Sequence, residues 1–127
     1  MANPSIVNAT AVGKEVIRRS YLDSPAEAEA TILTGVANHV MTIVSIIICE
    51  KVVSTDNKFS LYVDADSAGS DIYLIKDQPL YNADTFVFSD RFAITATDKL
   101  HFIASSAGGT SSHDIWCTYI DQQFAAP

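Results

Sequence analysis

The strongest structural signal in the chain is the run Thr42-Ile43-Val44-Ser45-Ile46-Ile47-Ile48. Six of its seven residues are branched at Cβ, which restricts side-chain rotamers in a helix but fits the pleated surface of a sheet. Both faces of the run are apolar, as in strands that are covered on both sides. The run therefore predicts a central strand that is buried on both faces.

Further strands follow at short intervals. The segment Phe59–Asp64 alternates apolar with polar or amphipathic residues, which places Phe59, Leu61 and Val63 on one core-facing side. Turn-forming residues separate the later candidates, and many short strands between turns indicate an all-β fold. We predict an antiparallel β-sandwich of the jelly-roll or immunoglobulin-like kind. The later candidate strands are Asp71–Lys76, Thr85–Phe88, Leu100–Ala104 and Ile115–Ile120.

Length and composition agree with a single sandwich domain. A chain of 127 residues is long enough to bury a core without metal or disulfide support. Hydrophobic residues make up 48% of it and charged residues only 18%, which suits a compact fold. The predicted core consists of Ile43, Ile46, Ile48, Leu61, Val63, Leu74, Phe86, Leu100, Phe102 and Cys117.

The segment before the sandwich allows two interpretations. Residues 1–25 fit the strand pattern poorly, so they form either an arm or a first strand at Glu15–Tyr21 with a frayed end. The domain division is therefore 1–25 for this segment and 26–127 for the sandwich. Ser24–Ala30 has features of a helix start, but Ala28–Leu33 alternates and leads into β-branched residues, so we favour a strand.

Charge and hydropathy exclude several classes of partner. A net charge of −7 disfavours nucleic acid, because an acidic surface repels polyphosphate. The first residues contain neither a basic segment nor an apolar run, and the longest apolar stretch, Val40–Cys49, is far shorter than a membrane span. We therefore expect neither export by a standard signal nor attachment to a membrane.

The residue types that carry chemistry form no recognisable site. Cys49 and Cys117 each lie within an apolar strand, where a free thiol behaves as a small hydrophobic group. His39, His101 and His113 have no metal-binding spacing, and we expect ordinary surface histidines. The sequence also lacks a Gly-x-Ser-x-Gly nucleophile elbow. We therefore predict no enzymatic activity, no catalytic residues and no cofactor.

The acidic segment Asp64–Asp71 begins like a calcium loop of the EF-hand type. Its fifth position is Ala68 and its twelfth is Ile75, where that loop needs oxygen ligands. The flanking segments are also predicted strands rather than helices. We therefore favour a solvated hairpin loop over a weak calcium site, and we assign no metal ligands.

Trp116 is the most informative residue of the closing strand. It is opposite in phase to Ile115, Cys117 and Tyr119, so one of the two sets faces away from the core. The alternatives are a subunit interface, a strand buried on both faces, or a ligand-stacking surface such as a sugar platform. Our candidate protein-interface residues are Arg18, Arg19, Trp116, Thr118 and Ile120.

From Val40 onward, six segments and their order resemble a known group of proteins. This order is similar to that of small bacteriophage virion structural proteins, found as head decoration or cement proteins and as related neck or tail components. The likeness covers about two-thirds of the chain and consists of fold signals. One of them is an Asp-x-Leu turn, which usually has a glycine before the Asp, where this chain has Thr97. The segments are Thr42–Glu50, Phe59–Val63, Ile72–Leu80, Ala83–Phe88, Ala96–Leu100 and the strand that ends at Tyr119-Ile120.

The resemblance implies a structural role in a virion that is assembled in the host cytoplasm. A capsid cement or decoration protein would stabilise the head by contacts with the major capsid protein and with its own copies, around a two-fold or three-fold axis. A neck, tail or baseplate component is the alternative within this class. A carbohydrate-binding or adhesin-like module is the alternative from a different class.

Overall fold

The structure is a computed structural model that describes residues 15–53, 56–66, 68–81, 83–106 and 112–123. The described residues form strands joined by turns and loops. They include no helix that could cross a membrane. The strands are β1 (Glu15–Asp23), β2 (Ala30–Thr34), β3 (His39–Glu50), β4 (Lys58–Ala65), β5 (Ser70–Pro79), β6 (Thr85–Phe88), β7 (Phe92–Ile94), β8 (Lys99–Ser105) and β9 (His113–Gln123).

The strands form two antiparallel sheets. One sheet has the order β1-β9-β3-β6, with β7 also paired to β3, and the other has the order β2-β8-β4-β5. Each early strand pairs with a strand counted back from the end of the chain: β1 with β9, β2 with β8, β3 with β6 and β7, and β4 with β5. This nested pairing across two sheets is the jelly roll. The predicted all-β antiparallel sandwich is confirmed, and its topology is the jelly-roll alternative.

Strand β3 is central, as predicted, but it is not buried on both faces. It pairs with β9 on one side and with β6 and β7 on the other. Ile47 is 41% exposed, so the prediction of two-sided burial is wrong. The register against β9 shifts between Ile43 and Ser45, which is the signature of a β-bulge. Because the bulge adds one residue, Ile43 and Ile46 both face the core despite their odd spacing.

Most of the predicted core lies between the sheets. Ile43, Ile46, Ile48, Leu61, Leu100, Phe102 and Cys117 are buried, whereas Val63, Leu74 and Phe86 are half-buried and pack against them. Both cysteines are free thiols. The core also contains residues that the sequence patterns did not identify, namely Ile32, Leu33, Met41, Leu80, Ile94, Ala104, Ile115 and Tyr119.

The segments that the sequence left ambiguous are extended. Glu15–Asp23 forms β1 along β9, while residues 1–14 lie outside the described residues. Ala30–Thr34 forms β2, so the strand interpretation of this region is confirmed. Strand β7, Phe92–Ile94, was not predicted, because three residues are too few to show a period.

A tight turn at Thr95–Asp98 joins the loops at one end of the sandwich. The backbone N–H of Gly35 donates to the carbonyl of Asp98 at 2.8 Å, and a Cβ on Gly35 would lie 2.0 Å from the carbonyl oxygen of Thr95. Only glycine allows this approach. Thr97 has φ of 70°, a left-handed conformation that glycine adopts more readily than threonine.

Neighbouring isoleucines in β3 provide a matched test of the core. We expect Ile46→Ala to lower the free energy of unfolding by about 2 to 5 kcal/mol, because Ile46 is fully buried and its truncation leaves a cavity. Ile47→Ala should cost about 1 kcal/mol or less, since that side chain faces outward. Urea unfolding of both variants measures the difference. Equal losses would contradict the phase that the bulge sets.

Candidate functional site

One face of the β1-β9-β3-β6 sheet carries large apolar side chains away from the core. Tyr21 of β1 lies opposite Trp116 of β9, Trp116 lies opposite Ile47 of β3, and Ile47 lies opposite Val87 of β6. These four residues, here called the apolar row, cross the sheet with one side chain from each of β1, β9, β3 and β6. Their exposed fractions are 55%, 45%, 41% and 56% in that order. Contiguous exposed apolar side chains of this kind mark interaction sites.

Strand alternation explains the outward position of Trp116. Ile115, Cys117 and Tyr119 point into the core, so the intervening residues point outward. The interpretation of the closing strand as buried on both faces is therefore wrong. Trp116 stays exposed because the described residues form no second layer over this outer face of the sheet.

Two aromatic rings and one cation form the end of the apolar row at β1. The rings of Tyr21 and Trp116 are nearly parallel, with 16° between their planes and 5.9 Å between their centroids. The guanidinium of Arg19 lies 5.1 Å from each ring centroid. Such cation–π contacts hold the arginine side chain in place on the rings. Its conformational entropy is therefore lost on folding and not on binding a partner.

The two sides of the apolar row differ in charge. On one side Asp23 and Asp114 face each other across β1 and β9, with Lys51 Nζ 3.0 Å from the Asp114 carboxylate and 3.8 Å from that of Asp23. The hydrogen bond from Lys51 to Asp114 raises the pKa of the lysine. On the other side stands Arg19, opposite Thr118. The apolar row therefore separates an acidic flank, with two carboxylates to one ammonium, from a cationic flank.

An open cavity of about 390 Å³ lies between the apolar row and its acidic flank. Tyr21, Ile47 and Trp116 form its apolar wall, and Asp23 and Asp114 contribute its polar groups. The cavity is therefore a depression in the outer face of the sheet, with an apolar wall and two carboxylates at its edge.

The structure gathers most of the candidate interface residues on this face. Arg19, Trp116, Thr118 and Ile120 share it through the register of β1 and β9. Arg18 has the opposite phase, and its Nε lies 3.0 Å from the buried carboxylate of Asp121. Sequence reasoning missed Tyr21, Asp23, Ile47, Val87 and Asp114, because their positions on this face follow from strand register, which a single sequence does not encode locally.

Two of the three histidines are buried, so the expectation of surface histidines is wrong for them. His113 is 1% exposed and His101 is 4% exposed. His113 Nε2 lies 2.8 Å from Oε2 of Glu50, which is itself fully buried, and neither atom has a further polar partner in the described part of the chain. The other carboxylate oxygen of Glu50 accepts from the backbone N–H groups of Val52 and Ser112.

The core environment controls the charge of His113. Its ring packs edge-on against Phe59 and Phe102. Burial lowers the pKa of His113 from 6.5, an effect that outweighs the opposing attraction of the Glu50 and Glu27 carboxylates. His113 is therefore uncharged at neutral pH and serves as a polar core residue that joins the ends of β3 and β9.

A second polar cluster lies on the outer side of the other sheet. His101 Nδ1 is 3.1 Å from Thr31 Oγ1, and its Nε2 is 3.4 Å from a carboxylate oxygen of Glu29. The hydroxyl of Tyr62 donates to the second oxygen of Glu29 at 2.5 Å. Burial and this hydrogen bond raise the pKa of Tyr62. Through Glu29, these contacts attach the segment before β2 to Tyr62 of β4 and His101 of β8.

The acidic hairpin uses its carboxylates within the fold. Asp64 accepts from the N–H of Gly69 at 3.0 Å, and Asp98 accepts from the N–H of Asp66 at 2.9 Å. Within the described ranges, no three His, Cys, Asp or Glu side chains are placed to hold a metal ion. The carboxylates thus tie the β4–β5 hairpin to the Thr95–Asp98 turn.

Comparison with known proteins gives a likeness of fold alone. No protein-family model matches the sequence, and no curated protein matches it. A mutant VP2 protein of infectious bursal disease virus, in derived T=1 particles, is similar in structure with a TM-score of 0.55 and 9% identity over 95% of this chain and 36% of VP2. The VP2 subviral particle of the same virus has a TM-score of 0.46 and 10% identity, over 98% of this chain and 42% of its own. A pentameric capsid protein isolated from metagenomic phage sequences has a TM-score of 0.36 and 9% identity, over 97% of this chain and 76% of its own.

The first of these similarities shows that the chain shares the fold of part of a viral capsid protein. The chain spans little more than a third of the length of that protein.

Protonation of His113 is linked to folding. The unfolded chain takes up a proton near the ordinary pKa of 6.5, whereas burial keeps the folded pKa lower. Below about pH 6.5 the unfolded state therefore binds more protons, and the free energy of unfolding falls as the pH falls. We expect this group to contribute a slope of up to about 1.4 kcal/mol per pH unit.

Urea unfolding between about pH 7.5 and pH 5 measures this slope. The variant His113→Asn should be less stable at every pH and should lose the contribution of the imidazole to the slope. If the variant keeps the full slope, carboxylates rather than His113 cause the pH dependence.

Proposed function

We propose that the chain is a structural protein of a bacteriophage particle, a capsid cement or decoration protein that stabilises the head by protein–protein contacts. The single observation that carries this proposal is the apolar row, which crosses an entire sheet of a jelly roll and stays exposed. An exposed apolar face of this kind is typical of a surface that another protein covers. The proposed place of action is the virion, assembled in the host cytoplasm.

The residue types of the surface support a protein partner. Tryptophan, tyrosine and arginine are the residues that most often dominate the binding energy of protein interfaces. Trp116, Tyr21 and Arg19 contact one another at the β1 end of the apolar row. The net charge of −7 argues against packaged nucleic acid as the partner.

The fold supports a place in a particle. The jelly roll is a fold of viral capsid domains, and the chain shares its fold with part of a capsid protein. The resemblance of the sequence from Val40 onward points to small phage virion proteins. A neck, tail or baseplate component would use the same kind of contact, and the copy number per particle separates these positions. The proposal includes no catalytic step.

A carbohydrate-binding or adhesin-like module is a second candidate, favoured by one observation. The nearly parallel rings of Tyr21 and Trp116 are exposed beside Asp23 and Asp114, and lectin domains also use the jelly roll. If this candidate is correct, the protein binds members of a glycan array and Trp116→Ala abolishes the signal. Arg19 already occupies space beside both rings, which makes a flat sugar platform the weaker alternative.

Particle incorporation tests the proposed structural role. We expect the wild-type chain to sediment with a large particle at fixed stoichiometry to the major capsid protein. Trp116→Ser should fold but be incorporated at least about tenfold less, because loss of a central interface tryptophan costs about 2 kcal/mol or more. Quantitative mass spectrometry of gradient-purified particles gives the ratio.

Ile72→Ser provides the matched control for this experiment. Ile72 is 55% exposed, but it lies on β5 in the other sheet, so its removal should leave incorporation unchanged. A wild-type chain that purifies only as free monomer from its native source would contradict the structural role.

A further inference from the structure

We infer that the apolar row is the contact of a two-fold homodimer, in which Arg19 of each copy pairs with Asp23 of the other. This inference rests on the proposed function and deepens it, because it names a second copy of this chain as the occupant of the exposed face. It follows from the order of charges on the two flanks of the apolar row.

The apolar row can pack against itself. Sheets that pack face to face bring their side chains into one layer about 10 Å thick. A rotation of 180° about an axis along the apolar row places each of its side chains on the same row of the second copy. An isologous contact of this kind needs a surface that is complementary to itself, and an unbroken apolar strip meets that condition.

The same rotation exchanges the flanks. Arg19 lies two residues before Tyr21 on β1, and Asp23 lies two residues after it, on the same face. A two-fold axis through the apolar row therefore puts Arg19 over Asp23 of the second copy, twice per dimer. A two-fold axis parallel to the strands also brings the faces together, but it places β1 over β6 of the second copy and so keeps Arg19 away from Asp23. The charges therefore favour the axis along the apolar row.

The charges on the flanks are available for such a pair. Arg19 makes no ion pair with another described residue. Among the described residues, its guanidinium contacts the rings of Tyr21 and Trp116. The side chain of Asp23 is 81% exposed, and its Lys51 partner is 3.8 Å away and lies closer to Asp114. Two carboxylates share that one ammonium, so the acidic flank retains a net negative charge opposite Arg19.

The size of the face sets the expected affinity. The contact face is four strands wide, at about 4.8 Å per strand, and extends along β1 from Arg19 to Asp23. It would bury on the order of 400 Å² per copy, about half the area of a standard interface. Such a dimer is weak in dilute solution. On a shell that holds copies close together, local concentrations in the millimolar range make a weak contact sufficient.

Charge reversal in both directions tests this pairing. We expect sedimentation equilibrium between about 10 µM and 1 mM to show a concentration-dependent dimer for the full chain. Arg19→Asp and Asp23→Arg should each weaken the dimer at least about tenfold, because each brings like charges together. The double variant should restore the dissociation constant to within about threefold of wild type, since the pair re-forms with opposite polarity.

Ile72→Ser is the control and should dimerise like wild type, because it lies on the other sheet. Thermal unfolding shows that each variant is folded. The inference is overturned if the wild type stays monomeric throughout, if both single variants dimerise normally, or if the double variant stays as weak as the single ones. Particle incorporation is measured separately, so a monomeric chain that still joins particles rejects the dimer and leaves the structural role intact.

Discussion

The pairing of β3 with β9 is the interaction on which the rest of the structure depends. It runs from His39 and Gln123 to Glu50 and His113, and it joins the first half of the chain to its last described strand. The nested pairs β1–β9 and β3–β6 belong to one sheet because β9 also pairs with β3. The ladder places β1 on one side of β9 and the β6 and β7 strands on the far side of β3. Together with the pairs β1–β9 and β3–β6, this ladder gives the order of the sheet.

The β3–β9 ladder also creates both of the unusual side-chain sets. At its end it brings Glu50 against His113 inside the core, where two polar groups replace apolar ones. Nearer its middle it sets Ile47 beside Trp116 on the outer face. The bulge between Ile43 and Ser45 sets the phase of both sets, because β3 faces the core at odd-numbered positions before the bulge and at even-numbered positions after it.

The outer face of the β1-β9-β3-β6 sheet is separate from the core of the domain. The core between the sheets is filled by aliphatic and aromatic side chains, so the apolar row is not needed to hold the domain together. Its residues are spread over four strands, and a partner that covers it gains the burial of a continuous surface. In the proposed dimer, Arg19 and the acidic flank fix the register of a contact that apolar area alone does not specify.

The sequence by itself determined the fold class and most of the core. Period-two alternation in Phe59–Val63, the β-branched run at Thr42–Ile48 and the turn residues are local signals, and local signals specify strands. The opposite phase of Trp116 was also readable, because alternation along one strand needs no partner.

Tertiary structure alone decided the topology, the register and the environment of the polar side chains. The burial of His113 and the exposure of Ile47 were both misjudged from the sequence, since each depends on which strand lies opposite and which face has a second layer. The apolar row and its charged flanks exist only across strands that are distant in the chain. Cross-strand neighbours are fixed by long-range pairing, and a single sequence carries that information only through the energy of the complete fold.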